Sequence, residues 1–396
     1  MFRYCSYRKK IISGHAIKYS FMKILYIHQY FKFPDETGGT RSYDLAKKFK
    51  ENNIDVEFLA ATSVENKKGE KKWKTIKSDG ITVHYIYLPY DNQLSYLKRC
   101  IVFLKFLWSA SLKALSIKAD IVLATSTPLT IGIPAILKKK IQKIPYIFEV
   151  RDVWPEAVIA VGVIKNKIIQ KLLYKLEKTI YKNASTIVTL SSDMKHSITS
   201  RYLHLNKPVK VIENISEINR FQNNIHVNKS LIKEMIGFIP RFSILYAGTF
   251  GKVNGIDYVI HLAEKVFKID ESIIFILIGN GSEKQRIKEL AEEKGILNKS
   301  VFIFDPVAKK NLPQLYYETD IGSSFVTNIP ELWANSANKF FDTLAAGRPI
   351  LINYKGWQEK IIRADNIGYI LSPNIEKVNV EEFVKYTYDN ALQKTQ

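Results

Sequence analysis

Short apolar runs alternate with amphipathic stretches along nearly the whole chain, and the alternation predicts an α/β protein. From Met22, KILYIHQY reads as a buried strand, GGTRSYDLAKKFKENN as a helix and DVEFLAAT as a second strand. After a basic, polar excursion come the strands ITVHYIYLP, ADIVLATS and IPYIFEVRD, with a long helical stretch over residues 94–117. ASTIVTLS and VKVIENI complete this half. Short strands separated by helical segments belong to a largely parallel sheet covered on both faces. Residues 216–228 are polar, hold little that could enter a core, and predict a linker. Beyond them the pattern restarts with strands RFSILYAGT and SIIFILIGN, each followed by a helix, and continues through SVFIFDPV, TDIGSSFV, RPILINY and IGYILS. The last periodic stretch, VEEFVKYTYDNALQK, reads as a helix that packs on its own domain or back across the first. The expected organisation is a leader over residues 1–21, a Rossmann-like domain over 22–215, a linker region over 216–234, a second doubly wound domain over 235–375 and a terminal segment over 376–396. Two such domains bring the carboxyl ends of their sheets to a common crevice, where this class of fold binds ligands.

Composition adds a direction to that frame. The 396 residues exceed what one core usually holds, and 46% hydrophobic content suffices for two. A formal charge of +21 draws the surface toward something anionic: nucleic acid, an acidic membrane or a phosphorylated substrate. Cys5 and Cys100 are the only cysteines, which excludes a disulfide framework and a zinc cluster and fits a reducing cytoplasm. The leader holds Arg3, Arg8, Lys9, Lys10 and Lys18, no acid, and no apolar core of signal-peptide length. It reads as an upstream extension of the start or as a basic arm for a membrane surface.

Three segments concentrate chemistry. In ANSANKFFDTLAAGRPI, residues 334–350, helical spacing puts Asn335, Lys339 and Asp342 on one face and Phe341, Leu344 and Ala345 on another, with Gly347 as the stop. Lys339 suits a phosphate and Asp342 a sugar hydroxyl; the plain alternative is a solvated face with a salt bridge between them. Glycine turns follow several strands: Gly38-Gly39 before a helix, Gly248, Gly251 and Gly255, and Gly279-Asn280-Gly281. Such turns let a backbone approach a phosphate at a helix N-terminus, although none is a GxGxxG or a GK[ST] loop. In FEVRDVWPE, Arg151 and Asp152 stand at a strand's carboxyl end, with Glu149 and Glu156 nearby, and an internal Arg-Asp pair is the alternative to a reactive role.

MKILYIHQYFKFPDETGGTRSYDLAKKF, FEVRDVWPE, ILYAGTFGKVNGID, GNGSEKQRI and NKFFDTLAAGRPI together resemble the retaining glycosyltransferases of family four, in order and spacing from Met22 onward. Among these the chain looks most like the bacterial enzymes of O-antigen, capsule and colanic-acid assembly, especially L-fucosamine (N-acetyl-L-fucosamine) transferases. The resemblance implies a GT-B architecture, two Rossmann-like doubly wound domains facing a central cleft, with a UDP-sugar donor held mainly by the second and the acceptor received mainly by the first. It implies no cofactor and no metal. Carried over residue by residue, Asp342 matches the second acid of a paired-acid motif resembling a ribose clamp. The first acid's position is Ala334 here, and Glu331 is the nearby substitute. Lys339 meets donor phosphate beside Asn338. Thr249 and Asn254 stand where the family has a phosphate-binding arginine and lysine, and Lys252 can supply the charge. Gly38 and Gly39 match the turn over the pyrophosphate, and Asp305, Pro306 and Val307 the wall against the base. A histidine position of many relatives falls at Arg151 or Asp152. Asp152 would orient or partly deprotonate the acceptor hydroxyl and Arg151 would steady phosphate charge, while His28 is a third candidate and equally a structural histidine.

The family implies a polyprenyl-pyrophosphate-linked saccharide acceptor, hence a cytoplasmic protein peripheral on the inner face of the plasma membrane. The stretch with Lys98, Arg99, Phe103, Lys105, Phe106, Leu107 and Trp108 suits that surface, because Lys105 interrupts its apolar run too early for a span. A helix packed into its own domain with a basic edge is the other reading. The alternative function is a basic two-domain protein that binds nucleic acid, but no helix-turn-helix, zinc finger, RRM or KH signature is present and no nucleic acid is expected. Nothing in the sequence speaks to oligomeric state.

Overall fold

The computed structural model describes residues 8–13, 16–65, 72–89, 96–223 and 230–393. They form two compact units, one of Met1–Phe33, Thr40–Pro155 and Ile164–Glu213, the other of Pro34–Gly39, Glu156–Val163 and Asn214–Gln396.

The first unit opens with an antiparallel pair, β1 (Arg8–Ser13) and β2 (Ala16–Phe21), inside the segment read as a leader. Its main sheet comprises β3 (Lys23–Ile27), β4 (Asp55–Thr62), β5 (Trp73–Ser78), β6 (Ile81–Tyr87), β7 (Ile121–Thr125), β8 (Tyr146–Val150), β9 (Thr186–Thr189) and β10 (Val209–Val211). Their order is β10-β9-β8-β7-β3-β4-β6-β5, parallel throughout except for β5 against β6. The basic, polar excursion thus contains an edge strand. WKTIKS buries almost nothing and carries two lysines, so it lacks the apolar signature of a core strand while its charges protect the open edge. The order departs from sequence at β3, whose neighbours are β4 and β7, and the crevice outside such a reversal is where open α/β sheets bind ligands. Register aligns Ile27 with Ala124 and Thr125 with Glu149, so β3, β7 and β8 deliver His28, Ser126 and Arg151 to one sheet edge.

The second unit is wholly parallel: β11 (Phe242–Ala247), β12 (Ile273–Ile278), β13 (Val301–Phe304), β14 (Ile321–Ser324), β15 (Ile350–Ile352) and β16 (Gly368–Ile370), in the order β13-β12-β11-β14-β15-β16. Every residue of IIFILI in β12 is buried, as two covered faces require. One face packs Val259 and Leu262 of the helix Ile256–Phe267 with Phe383 and Val384 of the helix Val380–Gln393, so the terminal helix sits on its own domain. The opposite face receives Phe221, Ile232 and Leu315. Phe221 and Ile232 lie in the stretch read as a linker, on helices Ile218–Asn223 and Leu231–Ile236, the second of which runs past its end. Those helices are too short to show a periodic stripe, yet Phe221 and Ile232 are fully in the core, and Leu231, Met235 and Ile236 pack against it half-buried. Residues 224–229 of that stretch lie outside the described residues. Among the described residues no helix is long and apolar enough to cross a membrane.

Candidate functional site

The helix Asn338–Ala345 organises the polar centre of the second unit. It lies against β14 because Gly322 has no side chain: a Cβ there would stand 2.2 Å from Thr343 Oγ1. Asn335, expected on the same helical face as Lys339, instead precedes the helix in a turn, where its carbonyl accepts from the Trp357 indole at 2.9 Å. Asn338, the first helical residue, accepts from the Asn214 amide.

Lys339 is 9% exposed, and its ammonium lies 4.6 Å from the centre of the Tyr246 ring. The salt bridge to Asp342 that plain spacing allows does not form, and among the described residues Lys339 has no carboxylate partner. Burial pushes its pKa down to about 8. Gly248 makes this placement possible, since a Cβ there would meet the lysine Cε at 2.9 Å. A buried ammonium without a counter-charge, in the first turn of a helix, is prepared for an anion from outside.

Asp342 is committed differently. Its Oδ1 accepts from Ser216 Oγ at 2.8 Å, its Oδ2 from the ammonium of Lys309, and all of it is buried. A ribose clamp at Asp342 therefore works within a network that already holds the carboxylate. Lys309 rests 5.7 Å from the Phe221 ring centre, and its backbone amide donates to Glu36 O at 3.3 Å. Pro34–Gly39, which includes the Gly38-Gly39 turn, thus packs with the second unit, where Lys310 also pairs with Asp35 at 2.8 Å. Gly38 has φ +125°, which a side chain would resist.

The two remaining glycine turns owe their glycines to each other. Gly248 N donates to Ile278 O and Phe250 N to Asn280 O, while a Cβ on Gly279 would lie 1.8 Å from Gly248 O and one on Gly281 2.3 Å from Phe250 O. The Gly279 amide is spent on Phe304 O and the Gly281 amide on the Asn280 side chain, so neither is available to a phosphate. Gly279→Ala is expected to lower stability by about 1–3 kcal/mol in thermal unfolding, because one backbone strand must move. Of the other donor candidates, Lys252 and Thr249 are exposed, Asn254 is half-buried, and Asp305 is exposed beside Val307 and Pro306. Lys284 at 2.6 Å holds the Asp305 carboxyl below its usual range. Glu331 is exposed on the turn Pro330–Leu332 and makes no side-chain hydrogen bond among the described residues, so nothing joins it to Asp342.

The first unit has its own polar centre at the β3–β7–β8 edge. His28 Nε2 stands 3.3 Å from Arg151 Nη1, and Nδ1 stands 2.8 Å from Ser42 Oγ. A guanidinium can only donate, so Nε2 accepts and the proton sits on Nδ1. Burial and Arg151 push the His28 pKa well below 6.5, keeping the ring neutral. With its lone pair occupied, His28 positions Arg151 and is poorly placed as a base. Asp152 is exposed and accepts from Thr127 Oγ1 at 2.7 Å, so the two neighbours diverge. The internal Arg-Asp pair of the alternative reading is absent. Arg151 is tied inward to the histidine and Asp152 is presented to solvent. Glu149 is buried against Arg41.

The expected membrane helix, Tyr96–Ser116, divides its residues. Phe106 is core at 1% exposure, which removes it from any headgroup contact, and Phe103 is half-buried. Lys98, Lys105 and Trp108 are exposed; the side chain of Arg99 lies outside the described residues.

Solved structures share this arrangement of sheets. Sucrose-phosphate synthase from Thermosynechococcus elongatus superposes with a TM-score of 0.72 at 14% identity, over 93% of this chain and 90% of that one. Anabaena HepE in complex with UDP-glucose superposes at 0.63 and 16%, over 93% and 92%. The family description "Glycosyl transferases group 1" matches residues 238–390, and "Glycosyltransferase Family 4" matches residues 38–220. The chain is a glycosyltransferase of the GT-B type. Its relatives include the probable glycosyltransferase WbjE of Pseudomonas aeruginosa, 25% identical over 72% of this chain and 71% of that protein. WcaI of Escherichia coli (strain K12), whose name assigns it to colanic acid biosynthesis, is 24% identical over 39% of each chain. In this glycosyltransferase, sequence reasoning missed Lys309 and Ser216 on Asp342, Tyr246 under Lys339, and Ser42 and Thr127 in the first unit. Tyr246 alone left a trace, as a polar-tipped aromatic near the end of a strand, two residues before Gly248.

Proposed function

We propose that the protein transfers a sugar, with retention, from a UDP-activated amino sugar of the N-acetyl-L-fucosamine kind to a polyprenyl-pyrophosphate-linked saccharide in bacterial surface polysaccharide synthesis. The buried, acid-free ammonium of Lys339 carries this reading. The UDP-glucose bound by HepE and the polysaccharide role in the name of WcaI support it. The proposed site of action is the cytoplasmic face of the plasma membrane.

In this scheme the bond between the anomeric carbon and the diphosphate oxygen breaks with its electron pair leaving on UDP. Lys339 meets that growing charge, and its fixed position makes the interaction strongest in the transition state. The acceptor hydroxyl attacks from the face being vacated, and its proton passes to a phosphate oxygen of the departing UDP. Asp152 orients the hydroxyl by accepting its hydrogen bond, and Arg151, held by His28, offers a second cation. Asp152→Asn keeps one acceptor oxygen but loses the charge, so turnover is expected to fall about tenfold to a hundredfold while UDP binding stays within twofold. Unchanged turnover would remove Asp152 from the reaction.

A panel of nucleotide sugars, assayed for UDP release and for transfer to a short lipid-linked saccharide, tests the whole reading. NMR of the product's anomeric centre then reports stereochemistry. Transfer with inversion, or no transfer from any UDP-sugar, would overturn the proposal.

A further inference from the structure

The outer face of three helices in the first unit is left unused by donor and acceptor chemistry. Tyr96–Ser116 packs on Gly132–Gln142, which packs on Lys167–Asn183, and all three cover the same sheet face through a common core containing Phe106, Ile136 and Ile180. On the side of the first helix away from Phe106, Leu104, Trp108 and Leu112 recur every four residues and are 59, 68 and 57% exposed. On the third, Ile168 and Leu172 repeat that spacing at 70 and 60%. A single exposed leucine is ordinary, but two apolar ridges on helices flanking a common neighbour are not.

The charges around the ridges have one sign. From Asn92 to Phe148 the only acid is Asp120, and from Ala157 to Ser192 the only acid is Glu177, which is buried and held by Arg201. Lys105, Lys171 and Lys175 are exposed and take part in no ion pair among the described residues. A merely solvated helix face mixes both signs and lacks large apolar side chains. A polynucleotide would be met by cations and stacking surfaces, and aliphatic ridges have nothing to offer it. Apolar ridges bordered by lysines match the boundary between acyl chains and acidic headgroups.

We propose that this three-helix face docks on an anionic lipid surface. Leu104, Trp108, Leu112, Ile168 and Leu172 enter the headgroup boundary, and the lysines lie against lipid phosphate. The inference rests on the lipid-linked acceptor reading for its purpose, and it extends the contact from one helix to a platform that fixes the orientation of the whole first unit.

Flotation of the full chain with phosphatidylglycerol–phosphatidylcholine vesicles, and with phosphatidylcholine alone, tests it. Partition into the acidic vesicles is expected to exceed that into neutral ones about tenfold and to weaken with salt. Leu104→Asp/Leu172→Asp and Lys171→Glu/Lys175→Glu are each expected to reduce it about tenfold, with melting temperature and UDP binding unchanged. Equal partition of wild type and the aspartate double variant would overturn the proposal, as would tighter binding to single-stranded RNA than to acidic vesicles. Donor hydrolysis measured without vesicles separates the two readings. Hydrolysis without vesicle binding sinks the docking face alone, and vesicle binding without hydrolysis sinks the transfer reading alone.

Discussion

Replacing Lys339 with methionine is expected to lower kcat/KM for the sugar donor about a hundredfold while leaving the protein as stable as before, or more so. The two effects have one cause. The ammonium is buried over Tyr246 without a carboxylate, and its pKa of about 8 records the cost of keeping it charged there. Lysine's ordinary value is 10.5, so the folded form binds its proton less well than the unfolded chain does. The resulting destabilisation is fully present below about pH 8 and fades as pH rises toward 10.5. Methionine keeps the stem and discards the charge, so the penalty disappears at neutral pH. What is lost is the partner of the leaving diphosphate, a contribution of about 2–4 kcal/mol where one preorganised donor to a developing charge is removed. Donor affinity of the wild type should also fall as pH rises through about 8, with no matching limb from His28, whose pKa lies well below 6.5. The methionine variant should lose that alkaline limb. A folded Lys339→Met protein with wild-type donor kinetics would show that the ammonium does not meet phosphate.

The parts of the fold that were legible in the sequence are those in which one segment carries its own signal. IIFILI cannot be anything but a doubly covered strand once its flanking helices are recognised, and Gly347, with φ +65°, ends its helix where the pattern says it should. WKTIKS was illegible because an exposed edge strand has no apolar alternation to read. The helices Ile218–Asn223 and Leu231–Ile236 hide for a related reason: six residues make too little of a turn pattern, and each buries only one side chain fully in the core.

The candidate site divides along the same line. Lys339 and Asp342 are neighbours on one helix, so spacing alone brought them forward. Their fates were not legible, because they depend on residues far away: Lys309 lies 33 positions from Asp342 and Ser216 lies 126. A lysine seen three residues before an aspartate on a helix reads as its partner. Here a different lysine has taken the carboxylate, and that leaves Lys339 uncommitted. Likewise Arg151 and Asp152 are adjacent in sequence but separated in role, because His28 from β3 draws one inward while Thr127 holds the other at the surface.

The largest loss of stability is expected from Arg41→Met, at about 3–5 kcal/mol. Arg41 and Glu149 are both buried, and the guanidinium contacts Glu149 Oε1 through Nε at 3.1 Å and Nη2 at 2.9 Å. It also donates to Glu213 O at 2.6 Å and Ile212 O at 3.1 Å, tying the start of the helix Arg41–Glu51 to the chain beyond β10. The other carboxylate oxygen of Glu149 accepts from Thr125 Oγ1 at 2.9 Å and faces Tyr26 OH, whose pKa is raised by burial and by Glu149 itself, so the phenol remains a donor. Two neutral donors cannot replace a cation in a dry interior. Methionine would therefore leave a carboxylate charge in the core, whereas Arg41→Met/Glu149→Gln should recover much of the loss, giving a coupling energy in a double-mutant cycle. A drop below about 1 kcal/mol for the single variant would mean that water reaches the pair. The consequence extends to the chemistry. Ser42, which holds the His28 ring, is the next residue after Arg41, and Arg151 lies two residues beyond Glu149. Loosening either end of this ion pair should let the His28–Arg151 contact drift, so the single variant is expected to lose turnover even at temperatures where it remains folded.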